Sequence, residues 1–208
     1  MDVREEDAIA HAAKQVGERF GRNEVRLLVN VSGVLHAEKN LSAISSSQLL
    51  ETFKINTFGH LLVYKHFTPL LPHKKQVDGV EDPARGVLRP GMSGLVSVSA
   101  RVGSIGDNER GGWYSYRSSK AALNQIIRTL SHELNRRSPQ HSAFCMAYHP
   151  GTMRTALSQP YTRGQAPENT KGLFDVDEAA AKLVKLLNGM TVEKSGGFWA
   201  YDGTRVPW

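Results

Sequence analysis

The chain has little cysteine and no long hydrophobic run. Its single cysteine, Cys145, has no partner for an intramolecular disulfide, which is typical of a reducing compartment. No segment approaches the roughly 18 apolar residues of a membrane helix. The acidic start Met1-Asp-Val-Arg-Glu-Glu-Asp7 also lacks the basic and then apolar layout of a signal peptide. We therefore predict a cytoplasmic protein without a membrane partner, in which Cys145 is a small apolar residue of a buried strand.

Concentrated charge and metal-ligand spacing are also absent. The net charge of +6 could indicate nucleic-acid binding, but the basic residues are scattered along the sequence. The densest spots, residues 73–75 and 136–137, fall where a loop or a helix end is expected, so they indicate a solvated face. The 8 histidines show no ligand spacing. We therefore predict neither a nucleic-acid partner nor a metal.

Short apolar strands alternate with longer helical patterns, in a chain whose 40% hydrophobic content is typical of a globular protein. This order predicts a parallel sheet with helices on both faces, a Rossmann-like, doubly wound α/β fold in one domain over residues 1–208. The predicted strands are 25–30, 94–99, 142–148 and 197–201, the predicted helices are 4–20, 46–71, 113–137 and 175–188, and residues 72–94 are predicted to be a polar loop.

Candidate chemical groups follow three of these strands directly. Asn30-Val-Ser-Gly33 follows the first strand, Ser99 ends the second and His149-Pro-Gly-Thr152 follows the third. Ligands of such sheets bind beyond the carboxyl ends of the strands. The three loops are therefore predicted to form one site, next to the helix that carries Tyr116 and Lys120.

Tyr116 and Lys120 are four residues apart on a predicted helix, which places them on one face. A nearby cation favours a phenolate, so we expect Lys120 to lower the pKa of Tyr116 from its ordinary value near 10 and to make it an acid/base group. A surface tyrosine beside a solvated lysine has the same spacing. The pair alone does not separate the two interpretations.

Taken in order, these segments resemble the short-chain dehydrogenase/reductase family over essentially the whole chain. Asn30-Val-Ser-Gly33 is similar to its Asn-Asn-Ala-Gly segment, and Asn56 to the asparagine of its catalytic tetrad. Val98-Ser-Ala-Arg-Val-Gly103 is similar to its serine segment. Pro150-Gly-Thr-Met-Arg-Thr155 is similar to its Pro-Gly stretch. Within the family, the plant-like form of the C-factor and sniffer carbonyl-reductase branch is the most similar, through residues 99–108, 111–124, 149–151 and 201–208.

The resemblance implies hydride transfer between NADP or NAD, with NADP slightly preferred, and a small-molecule carbonyl substrate. Tyr116 would exchange the proton, Lys120 would bind the nicotinamide ribose, and Asn56 would hold a water in a proton path. Other cofactor contacts would come from Asn30, Ser32, Gly33, Pro150, Gly151, Met153 and Thr155. It also implies a homodimer through helices 46–71 and 113–137.

Several of these residues have simpler interpretations. Asn56 could satisfy a kink in a long helix, Asn30 could cap the junction of strand and turn, and Pro150-Gly151 is a turn signal whatever the function. His149 we expect to be a hydrogen-bonded neighbour rather than a base.

The serine segment departs from the family pattern. The family's catalytic serine stands three residues before a glycine, and counting back from Gly103 gives Ala100. Ser99 is one position earlier, and successive strand residues face opposite ways. Ser104 is a second candidate. We favour Ser99 because it lies at the carboxyl end of its strand.

The second departure is the family's glycine-rich turn, which holds the cofactor pyrophosphate at a helix N-terminus. Nothing similar occurs here, so the chain is expected to begin about 60 to 70 residues late, the size of two βα units. With such a late start, the sequence does not test for an organellar targeting signal. The alternative function is a catalytically inactive member that acts as a dimerising interaction protein. A basic nucleic-acid binder rests only on the net charge.

Overall fold

The computed structural model describes residues 1–72, 84–137, 143–162 and 172–208. Its six strands in these ranges are β1 (Leu27–Asn30), β2 (Ser93–Val98), β3 (Ala143–His149), β4 (Thr152–Met153), β5 (Leu173–Phe174) and β6 (Gly197–Ala200). Its helices are α1 (Glu6–Phe20), α2 (Ser46–Phe53), α3 (Gly59–Phe67), α4 (Tyr114–Arg137), α5 (Gln159–Thr162) and α6 (Val176–Asn188).

The main sheet confirms the predicted α/β architecture. Its order is β1-β2-β3-β6 and every pair is parallel. Asn30 pairs with Ser97, and Val98 pairs with Tyr148, so the carboxyl ends of the strands share one edge. A second, two-stranded parallel sheet of β4 and β5 lies beyond the end of β3.

Each face of the main sheet is covered by a separate apolar layer. Helices α3 and α4 cover one face, where Leu95 and Cys145 pack against Leu123 and Ile127. Helix α6 covers the other face, where Phe144 and other strand residues pack against residues at the end of α6. The position of Cys145 in a buried strand is confirmed, and burial raises the pKa of its thiol to about 12.

The helical pattern predicted over 46–71 contains a π-helical segment, Lys54–Phe58, between α2 and α3. It ends in a 3₁₀ turn at Thr68–Leu70, where Pro69 cannot continue an α-helix. Helix α1 packs on α3 through a small cluster that includes Ile9 and Val63.

Three short elements, β4, α5 and β5, were not predicted, because two to four residues carry no periodicity. Of the loop predicted at 72–94, residues 73–83 lie outside the described residues, and Leu88 and Met92 belong to the core. Across the described ranges, no helix is both long and apolar enough to cross a bilayer.

Candidate active site

The loops after β2 and β3 and the start of α4 border an open cavity of about 460 Å³. Ser99 and Ala100 contribute to its wall from the loop after β2, and Tyr116 from α4. The predicted convergence is therefore observed for the loops after β2 and β3, whereas Asn30, Ser32 and Gly33 of the loop after β1 are not among the residues that line this cavity. The remaining wall is largely apolar and includes Leu35, Trp113, His149–Met153, Thr155, Leu157, Tyr161 and Leu173.

Tyr116 and Lys120 lie together on α4, with Nζ of Lys120 5.9 Å from the centre of the Tyr116 ring. The expected direction of the tyrosine shift is wrong for this structure. Burial outweighs the nearby amine and raises the pKa of Tyr116 to about 12. The same burial lowers the pKa of Lys120 to about 7, because a buried ammonium loses hydration. A cation so easily neutralised is a weak stabiliser of a phenolate.

Lys120 is anchored beside the turn that follows β1. Its Nζ donates a 2.8 Å hydrogen bond to the carbonyl oxygen of Val98. A side chain on Gly33 would begin 3.6 Å from this Nζ and 3.6 Å from Oδ1 of Asn56. Gly33 therefore lies directly over the lysine and the asparagine.

Asn56 is fully buried in the π-helical segment and joins three parts of the chain. Its Oδ1 accepts a 2.8 Å hydrogen bond from the backbone N–H of Val34, and its Nδ2 donates 2.9 Å to the Val34 carbonyl. Nδ2 also lies 3.1 Å from Oγ of Ser119 on α4. The side chain therefore links the turn after β1 to the active-site helix and does not repair its own helix.

Asn30 shapes the turn after β1. Its Oδ1 accepts hydrogen bonds from the backbone N–H of Ser32 at 3.0 Å and from the Ser32 hydroxyl at 2.7 Å. Its Nδ2 is buried and has no hydrogen-bond partner among the described residues. The capping interpretation of Asn30 therefore accounts for the oxygen end of its amide and not for the nitrogen end.

A buried polar chain that sequence reasoning missed lies beneath this turn. Oγ of Ser97 is 2.5 Å from the hydroxyl of Tyr64 and 2.7 Å from Nδ1 of His60. Nε2 of His60 is 3.0 Å from the carbonyl oxygen of Ser32, so Nε2 carries the proton and donates it. Burial lowers the pKa of His60 to about 3, and the imidazole is neutral. No local pattern marks His60, whose partners are distant in sequence.

Both candidate serines make internal hydrogen bonds. Ser99 is buried, and its hydroxyl donates a 2.7 Å hydrogen bond to Oδ1 of Asn124 on α4. Oγ of Ser104 accepts a 3.1 Å hydrogen bond from the backbone N–H of Asp107. Ala100 contributes to the cavity wall at the position where the family pattern has its serine.

The segment after β3 turns sharply at Gly151, which has φ +78°. A side chain there would begin 2.6 Å from the ring of Phe174, so only glycine fits. Pro150, Gly151, Met153 and Thr155 all line the cavity.

Trp113 is a wall residue that sequence reasoning missed. Gly111, Gly112 and Trp113 all have positive φ, with Trp113 at +52°. This backbone sets the indole at 5.1 Å from the ring of Tyr161 and 6.2 Å from the ring of Tyr116, measured between centres. The Gly-Gly pair is the sequence signal that could have indicated the unusual turn.

The expectation that His149 is hydrogen-bonded is not met at one nitrogen. Its Nδ1 is buried without a hydrogen-bond partner among the described residues, and burial lowers the pKa of the ring to about 4. The imidazole is thus neutral at the cavity wall. Within the described ranges, no three histidine, cysteine, aspartate or glutamate side chains are grouped as a metal site.

Comparison with known proteins decides the family. The family model described as enoyl-(acyl carrier protein) reductase matches residues 1–171. The chain belongs to the short-chain dehydrogenase/reductase family. By family it is an NAD(P)-dependent oxidoreductase.

Individual relatives agree with this family. The C-signal protein of Myxococcus xanthus is 31% identical over 184 residues, which cover 88% of this chain and 93% of that protein. The NADPH-bound carbonyl reductase from chicken fatty liver has TM-score 0.79 and 27% identity, over 100% of this chain and 75% of that chain. The carbonyl reductase Sniffer of D. melanogaster has TM-score 0.80 and 26% identity, over 100% of this chain and 76% of that chain. These similarities support the expected C-factor and sniffer-like branch.

Proposed function

We propose that this chain is a carbonyl reductase in which Tyr116 gives the proton and Lys120 and Asn56 support it. The observation that carries the proposal is the phenol of Tyr116 at the wall of the apolar cavity. Its oxygen makes no hydrogen bond to any described residue, and the rest of the side chain is buried. The similarity to two carbonyl reductases supports a carbonyl group as the reacting function of the substrate.

The described residues fit the nicotinamide riboside part of the cofactor. The unpaired Nδ2 of Asn30 and the closeness of the exposed Gly33 to Nζ of Lys120 support this placement. Ser32, Pro150, Gly151, Met153 and Thr155 complete the proposed contacts. When bound, the nicotinamide supplies the hydride.

The pyrophosphate part finds no comparable support among the described residues. The segment after β1 is tied to Asn56 and continues into a 3₁₀ turn at Leu41–Ala43, without an α-helix that starts at a glycine-rich turn. The first turn of α1 carries Glu6 and Asp7, which repel an anion.

The proton state of Tyr116 suits the proton donation that carbonyl reduction needs. With a pKa near 12, Tyr116 is protonated at neutral pH and can donate its proton to the substrate oxygen. Lys120, with a pKa near 7, is divided between its two forms at neutral pH. When it is charged, it favours the phenolate left after proton transfer. Oxidation would begin from that phenolate, which burial disfavours.

Replacement of Tyr116 tests the proposal. We expect Tyr116→Phe to lower carbonyl-dependent oxidation of NADPH by ~10²- to 10⁴-fold, the usual contribution of a general acid. The control is Tyr114→Phe, which removes the same hydroxyl from a partly exposed residue on the same helix. Equal rates for the wild type and Tyr116→Phe would refute the role of Tyr116.

A second candidate function is a non-catalytic dimer, which exposed apolar side chains favour. Leu50 of α2, Phe58 of the π-helical segment and Leu61 of α3 are 66%, 51% and 47% exposed, on the predicted dimer helices. We propose a homodimer through 46–71 and 113–137 for either function. Phe58→Glu is expected to shift sedimentation towards the monomer, whereas Phe20→Glu on α1 serves as an exposed control.

Two further proposals concern the whole chain, and a third concerns Ser99. We propose that residues 1–208 act as one domain, that the protein is cytoplasmic, and that Ser99 orients the substrate after exchange of its hydrogen bond to Asn124. Expression of the chain with a fluorescent tag would test the location.

A further inference from the structure

Glu38 is a buried acidic residue outside the site described above. It lies in the loop after β1 and its side chain is 3% exposed. The carboxylate accepts a short hydrogen bond from the hydroxyl of Ser115 and a longer one, 3.4 Å, from the Ser115 backbone N–H. Burial of a carboxylate lowers the stability of the fold unless hydrogen-bond donors compensate for the lost hydration. The two bonds from Ser115 supply that compensation for Glu38.

The contact lies at the N-terminus of the active-site helix. Helix α4 has 24 residues and no acidic residue in its own first turn. The first N–H groups of a helix lack partners and carry partial positive charge. Glu38, 77 positions away from Ser115 in the chain, supplies the missing negative acceptor.

The backbone of Glu38 holds a second residue of the same turn. Its carbonyl oxygen accepts a 2.7 Å hydrogen bond from the backbone N–H of Trp113. Trp113 has φ +52°, a conformation that costs energy for a bulky residue and persists only when neighbours enforce it. The backbone N–H of Arg117 donates 2.8 Å to the Trp113 carbonyl and begins the helix from there.

We propose that Glu38 is a positioning residue that fixes the start of α4 and so places Trp113 and Tyr116 at the cavity. Its main chain holds Trp113 and its side chain holds Ser115, the neighbour of Tyr116. The inference about catalysis rests on the proposed function, whereas the stabilisation of the start of α4 by Glu38 does not.

Hydrogen exchange of the backbone amides measures directly how strongly Glu38 stabilises the start of α4. In Glu38→Ala, we expect backbone amides of residues 113–118 to exchange roughly 5- to 30-fold faster, which corresponds to loss of a helix cap. Glu38→Gln keeps an oxygen acceptor and is expected to restore most of the protection. Glu51→Gln, which alters an exposed carboxylate paired with His36, is the matched control. Unchanged exchange at 113–118 in Glu38→Ala would overturn the proposal.

Kinetics separate positioning from stability. A displaced proton donor lowers kcat by up to ~10²-fold, so we expect Glu38→Ala to lower kcat with little change in KM for the carbonyl compound. Glu38→Gln is expected to recover most of kcat. An unchanged kcat in an active Glu38→Ala protein would refute the positioning role of Glu38 and leave the proposed carbonyl reduction intact.

Two further outcomes are decisive. If Glu38→Ala does not fold, Ser115→Ala removes the same side-chain contact and is expected to accelerate exchange at 113–118. Unchanged exchange in Ser115→Ala then overturns the proposal. If the wild type lacks reductase activity but exchange still accelerates in Glu38→Ala, the proposed function fails and the hold on α4 is supported.

Discussion

Gly103 and Lys120 meet at a separation that only glycine permits. A side chain on Gly103 would begin 2.6 Å from Cβ of Lys120 and 3.0 Å from its carbonyl carbon. The turn after β2 therefore packs directly on α4 at the lysine. The same lysine donates a 2.8 Å hydrogen bond from Nζ to the carbonyl oxygen of Val98 at the end of β2.

Gly103→Ala is expected to push the turn and α4 apart. Overpacking of this kind typically costs about 1–3 kcal/mol of stability, and displacement of Lys120 is expected to lower turnover as well. Thermal unfolding and NADPH oxidation measure the two effects. Gly189→Ala is the control, because a side chain there meets its nearest heavy atom at an ordinary 3.5 Å. A fully stable and active Gly103→Ala protein would contradict the packing argument.

The pH dependence of reduction is expected to follow Lys120. Since the pKa of Lys120 is about 7 and that of Tyr116 about 12, Lys120 is the member of this pair that changes charge between pH 6 and 9. Reduction is expected to slow as the pH rises through 7, because the neutral amine no longer favours the phenolate. Profiles of kcat for the wild type and Lys120→Met test this, and the variant is expected to be slow without that inflection.

Lys120 also makes a prediction about stability. Its pKa falls from 10.5 in the unfolded chain to about 7 in the folded one, so between these values the unfolded state binds more protons. The contribution of Lys120 to stability therefore increases as the pH rises from 7 to 10.5. Urea unfolding at several pH values is expected to give a steeper rise for the wild type than for Lys120→Met. Parallel curves would contradict the lowered pKa.

His60 gives a prediction of the same sign at acidic pH. Its pKa falls from 6.5 to about 3 on folding, so below pH 6.5 the unfolded state gains a proton that the buried ring does not accept. Stability is expected to fall as the pH decreases from 6.5 towards 3. His60→Gln is expected to weaken this acid sensitivity, whereas His132→Gln, at an exposed position of α4, is expected to retain it.

The serine assignment is tested by separate alanine variants. Ser99→Ala is expected to lower kcat/KM, and Ser104→Ala is expected to leave it near the wild-type value. Ser99→Ala also leaves the buried Oδ1 of Asn124 without its donor, at a cost of about 1–3 kcal/mol, so stability is measured in parallel. Full activity of both variants would show that neither hydroxyl orients the substrate.

The sequence alone determined the layered α/β architecture and the positions of Tyr116 and Lys120. Apolar strands and helical spacing are local patterns, and parallel strands bring their carboxyl ends to one edge whatever the details of packing. The order of short motifs also predicted the family, which the comparison with known proteins confirmed.

Tertiary structure decided the electrostatics and the supports of the site. Burial, which no local pattern encodes, reversed the expected pKa direction of Tyr116. The hydrogen bond of Ser99 depends on how β2 faces α4. Glu38 contacts Ser115, which is 77 positions away in the chain, so the sequence of its own loop does not predict this role. Spacing along a chain predicts which groups can share an element, but desolvation and capping depend on what packs around them.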